Sequence, residues 1–165
     1  NPEITEKNQD YRDFVEGITE AFKQLAKKLA GDGEGATKLL ICTVTGAKTK
    51  KDAVMVSKSV ICSSLLKAAM FGADANWGRV LCAVGYSGAD VDVTKVDVDF
   101  KSLKGEIAVC RNGAGIEFSE EKAKEILLEK EIEILVNVGD GEGKAQAYGC
   151  DLTYDYVKIN GDYRT

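Results

Sequence analysis

A glycine-rich break, Gly31-Asp32-Gly33-Glu34-Gly35-Ala36-Thr37-Lys38, constrains this chain more than any other stretch. It separates a long segment of helical periodicity from an apolar, β-branched run, so a helix and a strand must follow one another directly. Upstream, residues 9–30 place Phe14, Ile18, Ala21, Phe22, Leu25 and Leu29 at three- and four-residue steps, which predicts a helix with one buried stripe. Lys23, Lys27 and Lys28 fall near its C-terminal end, where cations suit the helix dipole. Downstream, residues 38–45 read as a short strand closed by Gly46. The glycines let the backbone bend tightly and approach another group, and they leave the Glu34 carboxylate with little bulk around it. Glycine after a helix is also an ordinary stop signal, so the loop by itself does not establish a site.

The remainder alternates helix and strand irregularly. Residues 52–69 are expected as one helix, with Val56, Ser59, Val60, Ser63 and Leu66 or Lys67 along one side. Asn76 or Asp74 is placed to cap a helix through residues 80–84, with Trp77 packed as a structural wall and Arg79 available to pair with Asp74 or another chain. In residues 91–100, Val91, Val93, Val96 and Val98 alternate with aspartates, as in one or two half-exposed strands. The aspartates lack the glycine and terminal glutamate of an EF-hand loop, which argues against calcium. A strand over residues 105–111 turns at Asn112-Gly113, Ser119 opens a helix, and residues 131–138 form another strand. A second pentapeptide, Gly139-Asp140-Gly141-Glu142-Gly143, reads as a hairpin turn into a strand over residues 144–151. Thr153 is placed to cap a final helix through Ile159. This order favours an α+β fold over a doubly wound sheet, and no loop carries a phosphate fingerprint.

Composition narrows the chemistry. The net charge of −5 argues against a surface that tracks phosphates, hence against nucleic acid as a partner. No apolar run approaches the roughly 18 residues of a membrane helix. The five cysteines, Cys42, Cys62, Cys82, Cys110 and Cys150, have no C-x-x-C spacing and are expected as buried free thiols in a reducing, cytoplasmic compartment. With no histidine in the chain, Ser-His and Cys-His mechanisms are removed, and no metal site is expected.

Three stretches in order carry a resemblance: residues 32–38 (DGEGATK), residues 71–79 (FGADANWGR) with Ala83-Val84-Gly85 behind them, and residues 149–160 (GCDLTYDYVKIN). Together they resemble the β chain of ornithine acetyltransferase, also called glutamate N-acetyltransferase or the arginine-biosynthesis bifunctional protein, over essentially the whole sequence. The resemblance implies a precursor that cleaves itself before a threonine, which then acts as nucleophile. That threonine would carry acetyl from N-acetylornithine to glutamate in two half-reactions. A free α-amine with a pKa near neutrality can take the hydroxyl proton without histidine, and an α chain would supply the oxyanion donors. This chain opens Asn1-Pro2, so the nucleophile is expected upstream and neither Thr37 nor Thr165 is assigned to it. The 165 residues alone are therefore expected to be inactive.

By the same resemblance, Glu34 matches the active-site glutamate, and Asn160 and Thr165 match substrate-binding residues of the C-terminal tail. A desolvated Glu34 carboxylate would pair with the ammonium of ornithine or glutamate, or with the amine of the upstream threonine. The implied architecture is the C-terminal part of an N-terminal-nucleophile-like (DmpA/ornithine acetyltransferase-like) α-β-β-α enzyme. Residues 1–35 would belong to the sandwich, 36–150 to a smaller α+β lobe, and 151–165 to a tail returning to Glu34. No cofactor is implied, although bifunctional members also use acetyl-CoA as acetyl donor. The expected partners are an α chain of the same precursor and further αβ pairs, to a heterotetramer. The rival reading is a non-catalytic α+β module that binds an amino acid or a partner.

Overall fold

The computed structural model describes residues 3–139 and 141–162. Helix α1 (Gln9–Gly31) starts at Asn8, whose side chain accepts from the Tyr11 amide, and ends at the glycine loop. Strand β1 (Leu39–Ala47) follows. Next come helices α2 (Lys50–Cys62), α3 (Ser64–Phe71) and α4 (Trp77–Gly85). Strands β2 (Asp97–Ser102), β3 (Gly105–Arg111) and β4 (Ala114–Gly115) precede helix α5 (Glu120–Leu127). Strands β5 (Glu131–Asn137) and β6 (Gly143–Cys150) and helix α6 (Tyr154–Gly161) complete the order. The fold is α+β, with one six-stranded sheet in the order β4-β3-β2-β5-β1-β6.

Among the described strands only β1 and β5 run parallel; the other neighbours are antiparallel. Alternation along the strands assigns the two faces. Leu40, Cys42 and Val44 of β1, Ile132, Ile134 and Val136 of β5, and Val98 and Phe100 of β2 are buried and meet α2 and α5. Helix α2 sits close over β6, because a side chain at Gly149 would collide with Ile61. The opposite face is more polar. Thr43 donates to Glu133 at 2.8 Å, and Gln146 donates to Thr43 at 3.0 Å.

Helix α1 crosses that second face at its last turns. Lys27 pairs with Glu131 at 3.8 Å and stands 6.0 Å over the Tyr148 ring. The bulky stripe is not buried, contrary to expectation. Helix α1 has no buried residue, and Phe22 and Leu29 are 62% and 77% exposed. The sheet is met instead by a half-buried face of small residues, Ala26 and Ala30, together with Lys27. Periodicity detects an apolar stripe but does not say whether its cover lies within the same 165 residues.

Three other expectations are corrected. The helix expected over 52–69 is two helices, since Ser63 is extended (φ −67°, ψ 108°) and its side chain caps α3 by accepting from Leu66. The expected strand over 91–100 begins instead as a short 3-10 turn at Val93–Lys95, because the Asp92 carboxylate accepts from both the amide and the hydroxyl of Thr94. The second glycine pentapeptide is no hairpin turn: β5 and β6 are not neighbours, because β1 lies between them. The connection crosses the end of β1, where the Gly141 amide donates to Gly46 at 2.7 Å. A Cβ on Gly141 or Gly143 would come within 2.5 Å of the Ala47 or Thr49 carbonyl oxygen, so close backbone approach is what requires glycine there.

The cysteines divide as well. Cys42 and Cys110 are buried and Cys150 is intermediate, but Cys62 and Cys82 are exposed, one at the end of α2 and one on the outer side of α4. All five are free thiols.

Candidate active site

The first glycine loop and the last helix are bolted together. The Asp151 carboxylate, buried at the end of β6, accepts from the Thr37 amide at 2.8 Å, the Lys38 amide at 3.0 Å and the Thr37 hydroxyl. The Asp151 amide returns a bond to the Lys38 carbonyl at 3.2 Å. Two residues on, the Thr153 hydroxyl donates to the Gly35 carbonyl at 2.7 Å and accepts from the Tyr156 amide at 3.2 Å, capping α6. Gly35 has φ +67°, and a Cβ on it would stand 2.8 Å from the Tyr156 amide nitrogen. Glycine is required there for both its conformation and the contact.

Beneath this junction Lys38 is buried. Its ammonium donates to the Met70 carbonyl at 2.6 Å and the Leu127 carbonyl at 2.8 Å, tying β1 to the C-terminal ends of α3 and α5. Burial lowers its pKa, and Asp151 opposes that shift. The tail also rests on α3: the Leu152 amide donates to Lys67 at 3.2 Å, and the Tyr154 ring packs edge-on to Phe71, with centroids 5.6 Å apart.

These bonds bring two sequence-selected residues together. The Asn160 amide donates to Glu34 Oε2 at 3.0 Å and to the Tyr156 carbonyl at 3.0 Å. Thr165, the third residue, lies outside the described residues. The Glu34 carboxylate is exposed in this chain rather than desolvated as expected. Arg79 does not pair with Asp74: its guanidinium donates to the Leu65 carbonyl at 2.7 Å, while Asp74 accepts from Asn76, the cap of α4. Shallow hollows flank the junction. One, lined by Leu25, Lys28, Leu29, Gly31 and Asp32, lies on the α1 side, and the other, lined by Gly35, Asp155, Lys158, Ile159 and Asp162, lies on the α6 side.

Sequence reasoning passed over Asp151 and Lys38, and took Thr153 only as a helix cap. A lone acid just after Gly149-Cys150 at the end of a strand was the available signal for Asp151, since a buried carboxylate needs partners.

An acid from before β1 and an amide from after β6 meet at the end of the sheet where β1 begins and β6 ends, and the class the structure defines is an α+β fold built on one mixed sheet. Comparison with known proteins identifies the family. Residues 1–165 match the ArgJ family throughout, and the chain belongs to it. It is 53% identical over its full length to the arginine biosynthesis bifunctional protein ArgJ of Caldanaerobacter subterraneus subsp. tengcongensis, covering 41% of that protein. It is 46% identical over 153 residues to a glutamate N-acetyltransferase of Methanopyrus kandleri, which matches 93% of this chain and 39% of that protein. The crystal structure of the arginine biosynthesis bifunctional protein from Bacillus halodurans superposes with a TM-score of 0.92 at 43% identity, covering 99% of this chain and 75% of that one. The chain thus spans about two fifths of the length of the curated relatives it matches.

Proposed function

We propose that this chain is the C-terminal part of the β chain of an acetyltransferase that moves acetyl from N-acetylornithine to glutamate in arginine biosynthesis. The observation that carries the reading is the 3.0 Å bond between Asn160 and Glu34, which gathers the first and last motifs of the resemblance into one place. The names of the relatives, arginine biosynthesis bifunctional protein and glutamate N-acetyltransferase, support the same activity.

In this reading the reaction proceeds in two half-reactions. A threonine hydroxyl from outside these residues attacks the acetyl carbonyl of N-acetylornithine, its proton passes to the threonine's own α-amine, and ornithine leaves as the amine. The glutamate amine then attacks the acyl-threonine ester and releases N-acetylglutamate. Glu34 holds a substrate ammonium or the threonine α-amine, and Asn160 and Thr165 fix the polar ends of the substrate. Residues 1–35 complete a catalytic sandwich, 36–150 form the smaller lobe, and 151–165 return to the site. The site needs no cofactor, and acetyl-CoA serves as a second donor if the enzyme is bifunctional.

The exposed stripe of α1 supports an α-chain partner that covers Phe22, Leu25 and Leu29 and dries the Glu34 carboxylate. Pairs of such chains assemble into a heterotetramer in the cytoplasm after self-cleavage of the precursor, and the 165 residues alone are inactive. Expressing the complete gene and assaying acetyl transfer from N-acetylornithine to glutamate tests the reading. Transfer that depends on an N-terminal threonine and falls with Glu34→Gln supports it. A complete protein that binds these amino acids without transferring acetyl would replace it by a binding module.

A further inference from the structure

We propose that Thr153 is a positioning residue of the site, fixing the separation of Glu34 and Asn160 through one hydroxyl; this rests on the site reading given above. The Thr153 side chain is 4% exposed and lies between the two segments that carry those residues. Its hydroxyl donates to the Gly35 carbonyl at 2.7 Å, one residue after Glu34. The same oxygen accepts from the Tyr156 amide at 3.2 Å, in the first turn of the helix that ends near Asn160. A hydroxyl offers one donor and two acceptor positions, so this group holds loop and helix at once. Tyr156 in turn accepts from the Asn160 amide at 3.0 Å, which closes a chain of bonds from Gly35 through Thr153 and Tyr156 to Asn160.

The Asp151 bonds hold Thr37 and Lys38, beyond Gly35 in the chain, and act on the loop from its other side. Thr153 therefore links the Glu34 end of the loop to the first turn of α6, while Asn160 meets Glu34 from the last turn. Small misplacements in a reacting constellation cost rate steeply, by as much as about a hundredfold for about 1 Å.

The test uses the complete, processed enzyme. Thr153→Val keeps the shape and removes both bonds. It is expected to lower kcat/KM for N-acetylornithine by about tenfold or more when assayed well below its melting temperature. Thr153→Ser restores the hydroxyl and is expected to recover activity to within about threefold. On a Glu34→Gln background, Thr153→Val is expected to cost less than about twofold, because its effect acts through Glu34. Thr153→Ala removes the same bonds if the valine variant does not accumulate.

Wild-type kinetics in Thr153→Val, or a loss that multiplies in full on Glu34→Gln, would overturn the positioning role. So would failure of both the valine and alanine variants to fold, which would assign Thr153 to stability alone. A fully active Glu34→Gln enzyme would instead overturn the underlying site reading, whereas an impaired Glu34→Gln beside an unimpaired Thr153→Val rejects only the inference about Thr153.

Discussion

The Asn160 side-chain amide donates to the Glu34 carboxylate at 3.0 Å across a sequence separation of 126 positions. The contact is made at the surface of this chain, so its strength depends on what else covers it. Replacing Glu34 by Gln in the complete enzyme is expected to lower kcat/KM at least about tenfold, roughly the 1.4 kcal/mol of one charge-assisted contact. Steady-state kinetics with both amino-acid substrates measure it, and unchanged values reject the assignment.

The tail is tested separately. Removing residues 160–165 from the complete enzyme should raise KM for substrate while leaving the remaining fold intact. The carboxylate loses its amide partner, but the sheet and the caps of α1 to α5 are untouched. Normal KM values would assign the tail to a solvated terminus.

Helix α1 carries a third prediction. Phe22 and Leu29 are largely exposed here, so Phe22→Asp should barely change the internal stability of this chain, within about 0.5 kcal/mol. The same change should weaken association with the α chain, read as loss of co-purification or a smaller species on size exclusion. Intact assembly would show that this face stays in water.

Lys38 gives a pH signature. Burial lowers its pKa below the ordinary 10.5, so the folded chain releases this proton at lower pH than the unfolded chain does. Between the lowered value and 10.5 the unfolded state binds more protons, and stability rises with pH through that window. Lys38→Met should lose that rise. At neutral pH it should also destabilise by about 1–3 kcal/mol, because the Met70 and Leu127 carbonyls are left without their donor. Denaturant titrations of both proteins across pH 7 to about 10.5 compare the slopes; parallel slopes would place the lysine charge outside the core.

The Cys42 thiol is pushed far up by burial, with Glu133 adding to the shift. A thiol reagent should therefore modify Cys42 only as fast as the protein unfolds. Mass spectrometry of partly labelled protein checks this, and rapid labelling of Cys42 in the native state would contradict its burial.

What the sequence determined by itself was local. Helix starts at Ser119 and Thr153, a cap before α4 at Asn76 or Asp74, and the strands around residues 38–45, 105–111 and 131–138 were legible because caps and alternation act over a few residues; the structure chose Asn76. The glycines around Glu34 set it apart locally, but its expected role, like that of Asn160, came through family resemblance. The tertiary structure alone decided which distant segments meet. It placed β1 between β5 and β6, which turned an expected hairpin into a crossing. It gave Asp151 and Lys38 partners more than 30 positions away, and it left the α1 stripe facing outward. The physical reason is that periodicity and capping are set by neighbours in the chain. Strand pairing and the partners of buried polar groups are set by packing free energy summed over segments far apart in sequence.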